Sequence, residues 1–395
     1  MYLTSFIHRE ELFDIAERWF CAHLSPMDGL RLTQIMICDG FVLAETLESL
    51  TKDLLRRIFP ESIEQKRIHF KGELREAICR GSESVTEREL MLFAWYRKNP
   101  DFYYREAPID GVMCLGKDDQ LIGLYRVKRP RRIAEKANRK IANWIFSVVQ
   151  SKARQMATER ARKFGISLEF LLTPESEMVG EFVEAEKAIS QSFMEGSIEF
   201  DRDALTIHDV GGIKLIAEDN QLSDLEDALC NDPKIRILDK ESHLGNYRAT
   251  NLVLESPWDV DHVCRRYHEC RCWERYSNRG IPESDLKRGL ESLLVDPKMT
   301  INVELILSNF PDLVESELGN SIHEERIIAQ RDSKVYKGYI PINVEFLLEY
   351  LFAVGFSPQI HIEQLPIKLW GRYLPDTLIS YIRSLYHLPQ QDFFC

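Results

Sequence analysis

The chain has 395 residues and a mass of 46.1 kDa, which exceeds one ordinary domain and predicts two or three packed units. Hydrophobic residues make up 44% of the chain and charged residues 29%, so a core can be buried and extensive disorder is excluded. The formal net charge of -12 argues against a protein that coats nucleic acid, and no DNA partner is expected.

The location and redox state also follow from composition. No run of about 18 consecutive apolar residues is present, and the amino-terminal segment carries acidic residues where a signal peptide has a basic and then an apolar run. We therefore expect a cytoplasmic protein with no membrane partner. The 9 cysteines are odd in number, which favours reduced thiols. The histidine and cysteine residues between His262 and Cys272 do not have the spacing of a zinc site, so we expect no zinc there.

The first hundred residues are predicted to be helical. Apolar residues recur at helical spacing from Leu12 to Phe20 and from Leu32 to Ile58. Ser84 and Glu87 have the spacing of a capping box and predict a further helix that ends near Asn99.

From Pro108 onward the pattern changes to short strands. A hairpin is predicted over 111–125, followed by a helix that begins at Pro130 and has one apolar face and one cationic face. Helix-like sequence continues to about Ser197. Asp209 then precedes a strand that runs to Ile216.

Further elements follow this strand. The patterns predict a helix from Leu222 to Leu229 and strands at Ile235–Leu238 and Ala249–Leu254. From Pro282 the periodicity is helical again. The clearest segments there are Val303 to Phe310, Val344 to Val354 and Leu378 to Leu385, whereas Val335 to Pro341 fits no element.

Positive charge is concentrated in one segment. From Arg126 to Lys163 the sequence has 13 Lys and Arg residues against 2 Glu. Four of these cations lead from a strand into the first turns of a helix, where free N–H groups and the helix dipole also favour anions: Arg126, Lys128, Arg132 and Lys136. A polyphosphate suits this junction. The alternative is an ordinary solvated basic face.

Two other segments carry candidate groups. Asp209 is followed by two glycines, so its carboxylate could hold Mg²⁺ against phosphate oxygens, although an aspartate before a strand is more often a turn former. Tyr247 could stack on a base and Arg248 could pair with phosphate, although the segment also suits an ordinary hairpin.

Together these motifs resemble the synthetase domain of RelA/SpoT-type alarmone synthetases, over roughly residues 108–275. Arg126, Lys128, Ile133 and Lys136 keep the spacing of the family's cationic motif. The family strand Asp-x-x-Gly-x-Arg is matched by Asp209, Gly212 and Lys214, with Lys in place of Arg. The family's Gly-Tyr-Arg-Ser-x-His is matched by Tyr247 and Arg248, with Ala249 for Ser and Asn251 for His.

The resemblance implies a nucleotidyltransferase-like fold and GTP pyrophosphokinase chemistry. In it the β,γ-pyrophosphate of ATP would be transferred to the 3′-hydroxyl of a guanine nucleotide, with Mg²⁺ as cofactor. Asp209 would hold Mg²⁺ and Tyr247 would stack on the acceptor base. The remaining nucleotide-binding residues would be Arg126, Lys128, Arg132, Lys136, Lys214 and Arg248.

The second acid of the site is the weakest match. The family's later Val-Glu-x-Gln-x-Arg strand has its nearest counterpart at Val260-Asp261, which makes Asp261 the candidate second acid and metal ligand. Glu255 is the other candidate. The long stretch between Lys136 and Asp209 requires a helical insertion at about 141–205.

We therefore predict an α+β protein with a small mixed-sheet nucleotidyltransferase-like core. The core spans residues 108–275 between helical regions at 1–107 and 276–395. The expected partners are ATP and a guanine nucleotide or another nucleotide, and a homo-oligomer is left open. Two alternatives remain: a catalytically inactive nucleotide-sensing regulatory protein, and a protein that binds or modifies RNA through the basic segment.

Overall fold

The computed structural model describes residues 1–80, 86–171, 174–245, 247–319, 322–332 and 338–389. Within these ranges helices cover both faces of a seven-stranded mixed sheet, which confirms the predicted α+β class. The strands are β1 (Tyr2–Leu3), β2 (Glu64–Phe70), β3 (Pro108–Leu115), β4 (Leu121–Val127), β5 (Thr206–Ile207), β6 (Gly211–Ile216), β7 (Arg236–Leu244), β8 (Arg248–Pro257) and β9 (Thr300–Ser308).

The α-helices follow and alternate with these strands. They are α1 (Arg9–Phe20), α2 (Asp28–Ile58), α3 (Lys71–Ile78), α4 (Glu87–Lys98), α5 (Pro130–Phe164), α6 (Glu175–Glu195), α7 (Asp219–Cys230), α8 (Val260–Glu269), α9 (Glu283–Arg288), α10 (Phe310–Leu318), α11 (His323–Asp332), α12 (Tyr339–Phe356) and α13 (Pro375–Leu385).

The large sheet has the strand order β2-β3-β4-β6-β9-β8-β7. Its strands pair antiparallel except β6 and β9, which run parallel in the middle of the sheet. The strands β1 and β5 form a separate parallel pair. The parallel central pair is important for the site because it brings the starts of β6 and β9 to the same edge.

The central strand β9 corrects the sequence prediction. A helix was expected from Val303 to Phe310, but the segment is a strand to Ser308. Its odd-numbered residues from Ile301 to Leu307 are buried, whereas Glu304 and Ile306 are half-buried on the opposite face. This alternation has the period of a strand.

The predicted domain limits are also too narrow. The strand β2 lies in the region predicted to be helical before residue 108, and β9 lies in the region predicted to be helical after residue 275. Both belong to the one sheet, so the core that contains it extends beyond 108–275 on each side.

Most of the other predicted elements are present. The hairpin is formed by β3 and β4, and α5 begins at Pro130. The expected strand after Asp209 is β6, and the elements that follow it are α7, β7 and β8. The capping box of α4 is made by Thr86 and Glu89, whereas the predicted cap Ser84 lies outside the described residues. Residues 335–337 of the segment that fitted no element also lie outside them, and its last residues begin α12 at Tyr339.

The two faces of the sheet are covered differently. The long helix α2 crosses one face, where its Leu43 lies against Gly211 and its Leu55 against Gly123. On the other face, α3, α4 and α10 pack over the β2 side and form a second apolar cluster. The remainder of that face is open and forms a cleft.

The helix α12 is the most apolar long helix of the described residues. By length and composition it could span a membrane, but 61% of that window is buried inside the protein. It packs against α1, α2 and α5, which is the environment of a core helix.

The cysteines depart from the sequence prediction in one place. Cys270 and Cys272, which follow α8, are joined by a disulfide, so the prediction of reduced thiols is wrong for this pair. Six other cysteines are free, and Cys395 lies outside the described residues.

Candidate active site

A cleft of about 510 Å³ lies between the open face of the sheet and the helices α5, α10 and α11. Among the described residues, nine basic and six acidic side chains line it. The chain as a whole is acidic, so this local excess of cations indicates a site for an anionic ligand.

Two carboxylates meet at the centre of the cleft. Asp209 stands directly before β6, and Glu304 lies on the neighbouring strand β9, opposite Gly212. The Lys128 ammonium lies between them, with Nζ 2.9 Å from Asp209 Oδ2 and 3.3 Å from Glu304 Oε2. The two acids are therefore held within reach of one small cation.

The ionisation of Asp209 is set by this surrounding charge. Burial raises its pKa, but Lys128 and Lys136 outweigh burial and hold the pKa of the carboxyl far below its ordinary value. Lys136 on α5 donates to the same oxygen, Asp209 Oδ2. Burial, with the charge of Lys128, lowers the pKa of Lys136 despite the neighbouring carboxylate. Asp209 is thus an anion at any ordinary pH.

Gly212 makes room for the second acid. In the sheet it pairs with Arg126 on one side and Glu304 on the other. A Cβ at this position would lie 3.4 Å from Glu304 Oε2. A Cβ alone would make an ordinary contact there, so the glycine matters by keeping longer side chains away from the Glu304 carboxylate.

The cationic side of the cleft is built from the end of β4 and the start of α5. Arg126 and Lys128 project from this strand end, and Arg132 and Lys136 follow on the first turns of the helix. Arg132 donates to Glu135 at 2.9 Å, which orients its guanidinium. The structure thus brings all four predicted cations to one wall.

The opposite side carries aromatic and polar groups. Tyr247 precedes β8, Asn251 lies on β8, and both line the cleft. Asn251 Nδ2 lies 3.1 Å from His243 Nε2 of the paired strand β7. Arg326 of α11 lies over the Tyr247 ring, with its guanidinium carbon 4.6 Å from the ring centroid. Lys214 lies on the floor, 3.9 Å from Glu317.

Three sequence candidates lie elsewhere. Asp261 is exposed on α8, which packs against α2 on the far face of the sheet. Glu255, near the end of β8, accepts a hydrogen bond from Thr300 Oγ1 at 3.2 Å and does not line the cleft. The Arg248 side chain is exposed outside the cleft, and its backbone N–H donates to Asp312.

The second acid of the cleft is therefore Glu304 rather than Asp261 or Glu255. Glu304 was not among the predicted site residues because the periodicity of its segment was interpreted as that of a helix. The available signal was Val303-Glu304 within a segment of alternating apolar residues, which matches the first two positions of the Val-Glu-x-Gln-x-Arg strand better than Val260-Asp261 does.

Comparison with known proteins gives limited additional information. No protein-family model and no curated protein matches the chain. Among solved structures, the small alarmone synthetase 2 from Bacillus subtilis is 14% identical, with coverage of 43% of this chain and 68% of that one and a TM-score of 0.20. The small alarmone synthetase 1 from Bacillus subtilis is 14% identical, with coverage of 52% of this chain and 87% of that one and a TM-score of 0.20.

A third structure is the Bacillus subtilis small alarmone synthetase 1 bound to its product pppGpp. It is 12% identical, with coverage of 53% of this chain and 85% of that one and a TM-score of 0.19. TM-scores near 0.2 are too low for a superposition to support a functional conclusion. The geometry of the cleft is therefore the evidence for its function.

Proposed function

We propose that the cleft binds ATP and a second nucleotide and transfers the β,γ-pyrophosphate of ATP to a 3′-hydroxyl of that nucleotide. The observation that carries this proposal is the pair Asp209 and Glu304, held around one ammonium at the end of a cationic wall. Phosphoryl transfer needs this combination, because the protein contributes positioning and charge stabilisation.

The cationic wall suits the donor phosphates. The guanidinium groups of Arg126 and Arg132 can make paired hydrogen bonds to phosphate oxygens, and the ammonium groups of Lys128 and Lys136 add compact charge. The start of α5 contributes the positive end of its dipole. A triphosphate at this wall would have its β-phosphorus directed towards the two carboxylates.

The donor set also suits Mg²⁺. Asp209 and Glu304 offer hard, partly exposed oxygens on adjacent strands, with side chains 18% and 19% exposed. When bound there, Mg²⁺ supplies charge neutralisation and orientation of the phosphate oxygens. Both carboxylates are at present paired with Lys128, whose ammonium would then turn to the phosphates.

The acceptor enters from the Tyr247 side, and its hydroxyl oxygen attacks the β-phosphorus. The bond between the β-phosphorus and the α,β-bridging oxygen breaks, AMP leaves with that oxygen, and the hydroxyl proton passes to Glu304, because the low pKa of Asp209 makes that carboxylate a poor base. The base of the acceptor would lie near Tyr247 and Asn251, which offer a ring face and an amide. A guanine nucleotide is the acceptor that the sequence resemblance implies.

One observation favours a second function, nucleotide binding without turnover. The ammonium of Lys128 occupies the position between the carboxylates that a metal ion would take, and Lys136 also pairs with Asp209. A protein that senses nucleotide could keep this arrangement because it needs only cations for the phosphates.

Transfer of label decides between the two functions. Purified protein is incubated with γ-labelled ATP, Mg²⁺ and a panel of guanine, adenine and pyrimidine nucleotides and RNA, and labelled products are separated. We expect a labelled nucleotide product, and we expect Asp209→Asn to lower its rate of formation by roughly 10²-fold or more.

The exposed Asp261→Asn variant is the matched control, and it should retain the wild-type rate. Binding of ATP by the wild-type protein with no labelled product on any acceptor would favour the sensing function. Label on RNA would support the RNA alternative instead.

A further inference from the structure

The acceptor half of the cleft is already occupied by a side chain of the C-terminal region. Arg326 of α11 stacks on Tyr247 at 4.6 Å, and its Nη1 donates to the Tyr247 hydroxyl. His243 lies beside the same ring, with centroids 6.2 Å apart and planes tilted by 32°. The ring that would receive an acceptor base is therefore covered.

The helix that carries Arg326 is anchored at the back of the cleft. Glu324, one half-turn before Arg326, accepts a hydrogen bond from Arg75 Nη2 at 2.6 Å and lies 3.4 Å from Lys71 Nζ. Both partners are buried on α3. This anchor places α11 over the acceptor half.

The covered arrangement leaves two polar atoms unsatisfied. Arg326 Nε and Asn251 Oδ1 are both buried without a hydrogen-bond partner in the described part of the chain. A buried donor or acceptor without a partner costs free energy, which is recovered when the group reaches water or a ligand. The covered state thus carries a cost that withdrawal of Arg326 would remove.

We propose that α11 is an autoinhibitory element of the acceptor site. Arg326 occupies the face of Tyr247 on which the acceptor base stacks, and the acceptor binds by displacing it. This inference rests on the proposed function, since it assigns the Tyr247 side to the acceptor.

Binding of guanosine 5′-diphosphate to wild-type protein, Arg326→Ala and Arg326→Lys tests the inference. Removal of a cation weakens binding of an anion, so a gain in affinity for Arg326→Ala can come only from the uncovered ring. We expect about tenfold tighter binding for Arg326→Ala, and a gain also for Arg326→Lys, which keeps the charge but loses the planar contact. Glu325→Ala, an exposed change on the same helix, should bind as the wild type does.

Hydrogen exchange of α11 gives a second measurement that needs no variant. Displacement predicts faster exchange of its amides when guanosine 5′-diphosphate is added, whereas a clamp that closes on the ligand predicts slower exchange. Slower or unchanged exchange in α11 would overturn the inference. So would an affinity for guanosine 5′-diphosphate that rises in neither Arg326 variant, and so would a failure of all the proteins to bind it. Loss of pyrophosphate transfer is a separate result, because neither measurement uses ATP.

Discussion

Among single residues, Lys214 shows that a buried charge in the cleft lowers the stability of the protein. Its side chain is 18% exposed beneath the cleft. Burial and the nearby charges of Lys71 and Arg126 lower its pKa to about 8, and Glu317 opposes this shift. Lys214 therefore loses its proton at a lower pH in the folded protein than in the unfolded chain. The free-energy cost of burying its charge is fully present below pH 8.

The resulting prediction concerns Lys214→Met. We expect the free energy of unfolding at pH 7 to rise by about 1–2 kcal/mol, because the cost of a buried ammonium is removed. In the wild-type protein that free energy should rise between pH 8 and about 10.4, and the variant should lose this rise. Denaturant titrations at several pH values measure both.

The same substitution should weaken ATP binding several-fold, since a cation of the cleft is lost. Lys98→Met, an exposed change on α4, serves as the control for both measurements. A Lys214→Met protein that is less stable at pH 7 would show that its pairing with Glu317 outweighs burial.

The individual site residues were only partly predictable from sequence. The spacing of Lys128, Lys136 and Asp209 correctly indicated groups that meet, because the strand-to-helix junction is local and β6 pairs directly with β4. The position of Glu304 in the cleft depends on the pairing of β9 with β6, a strand almost a hundred residues away. A short local pattern does not specify such pairing. Arg326 had no sequence signal, since the approach of α11 is a tertiary contact.

At the element scale, a buried ion network joins α3, α10 and α11. Arg75 is 0% exposed, and it donates to the Glu317 carbonyl at 3.1 Å, to Glu324 at 2.6 Å and to the Tyr103 carbonyl. Lys71 pairs with Glu317 at 3.2 Å. These contacts hold the helices that form the back wall of the cleft.

We therefore expect Arg75→Met to lower the free energy of unfolding by about 3–5 kcal/mol, because the Glu324 carboxylate loses its shortest ion pair and the Glu317 and Tyr103 carbonyls lose a buried donor. Arg80→Met is the matched change, since Arg80 is 62% exposed and its ion pair with Glu76 spans 3.7 Å. It should change stability by less than about 0.5 kcal/mol. Equal effects of the two substitutions in chemical denaturation would contradict a stabilising role of the network.

Elements with strong local signals were the predictable ones. The hairpin of β3 and β4, the proline start of α5 and the apolar face of α12 follow from turn residues and periodicity. The strand β2 was missed because it lies at the sheet edge with mostly exposed side chains, so it lacks an apolar alternation.

At the scale of the whole molecule, His8 and Asp39 tie the first two helices to a distant loop. His8 Nδ1 lies 2.5 Å from Asp39 Oδ1, and Nε2 lies 2.9 Å from the Leu293 carbonyl. Cys38 is close enough to suggest a metal site with these two residues. Both ring nitrogens already face acceptors, however, which favours a protonated imidazole in an ion pair.

This ion pair predicts a dependence of stability on pH. Burial lowers the pKa of His8, but the hydrogen bond and charge of Asp39 outweigh it, so the net pKa is raised. The contribution is full below about pH 6.5 and is lost as the pH rises through the pKa of the folded state. His8→Gln should be less stable than wild type at pH 6 by about 1–3 kcal/mol and should lack that decline. A wild-type protein whose stability does not fall above pH 6.5 would contradict this assignment.

In the proposed function, Asp209 and Glu304, brought together by the parallel pair β6 and β9, form the reacting centre. The most direct test is the single-turnover rate of pyrophosphate transfer from ATP for Glu304→Gln and for Glu255→Gln, an equivalent change on the neighbouring strand outside the cleft. This assignment predicts a loss of roughly 10²-fold or more for Glu304→Gln and a wild-type rate for Glu255→Gln. Transfer that survives in Glu304→Gln and disappears in Glu255→Gln would contradict it.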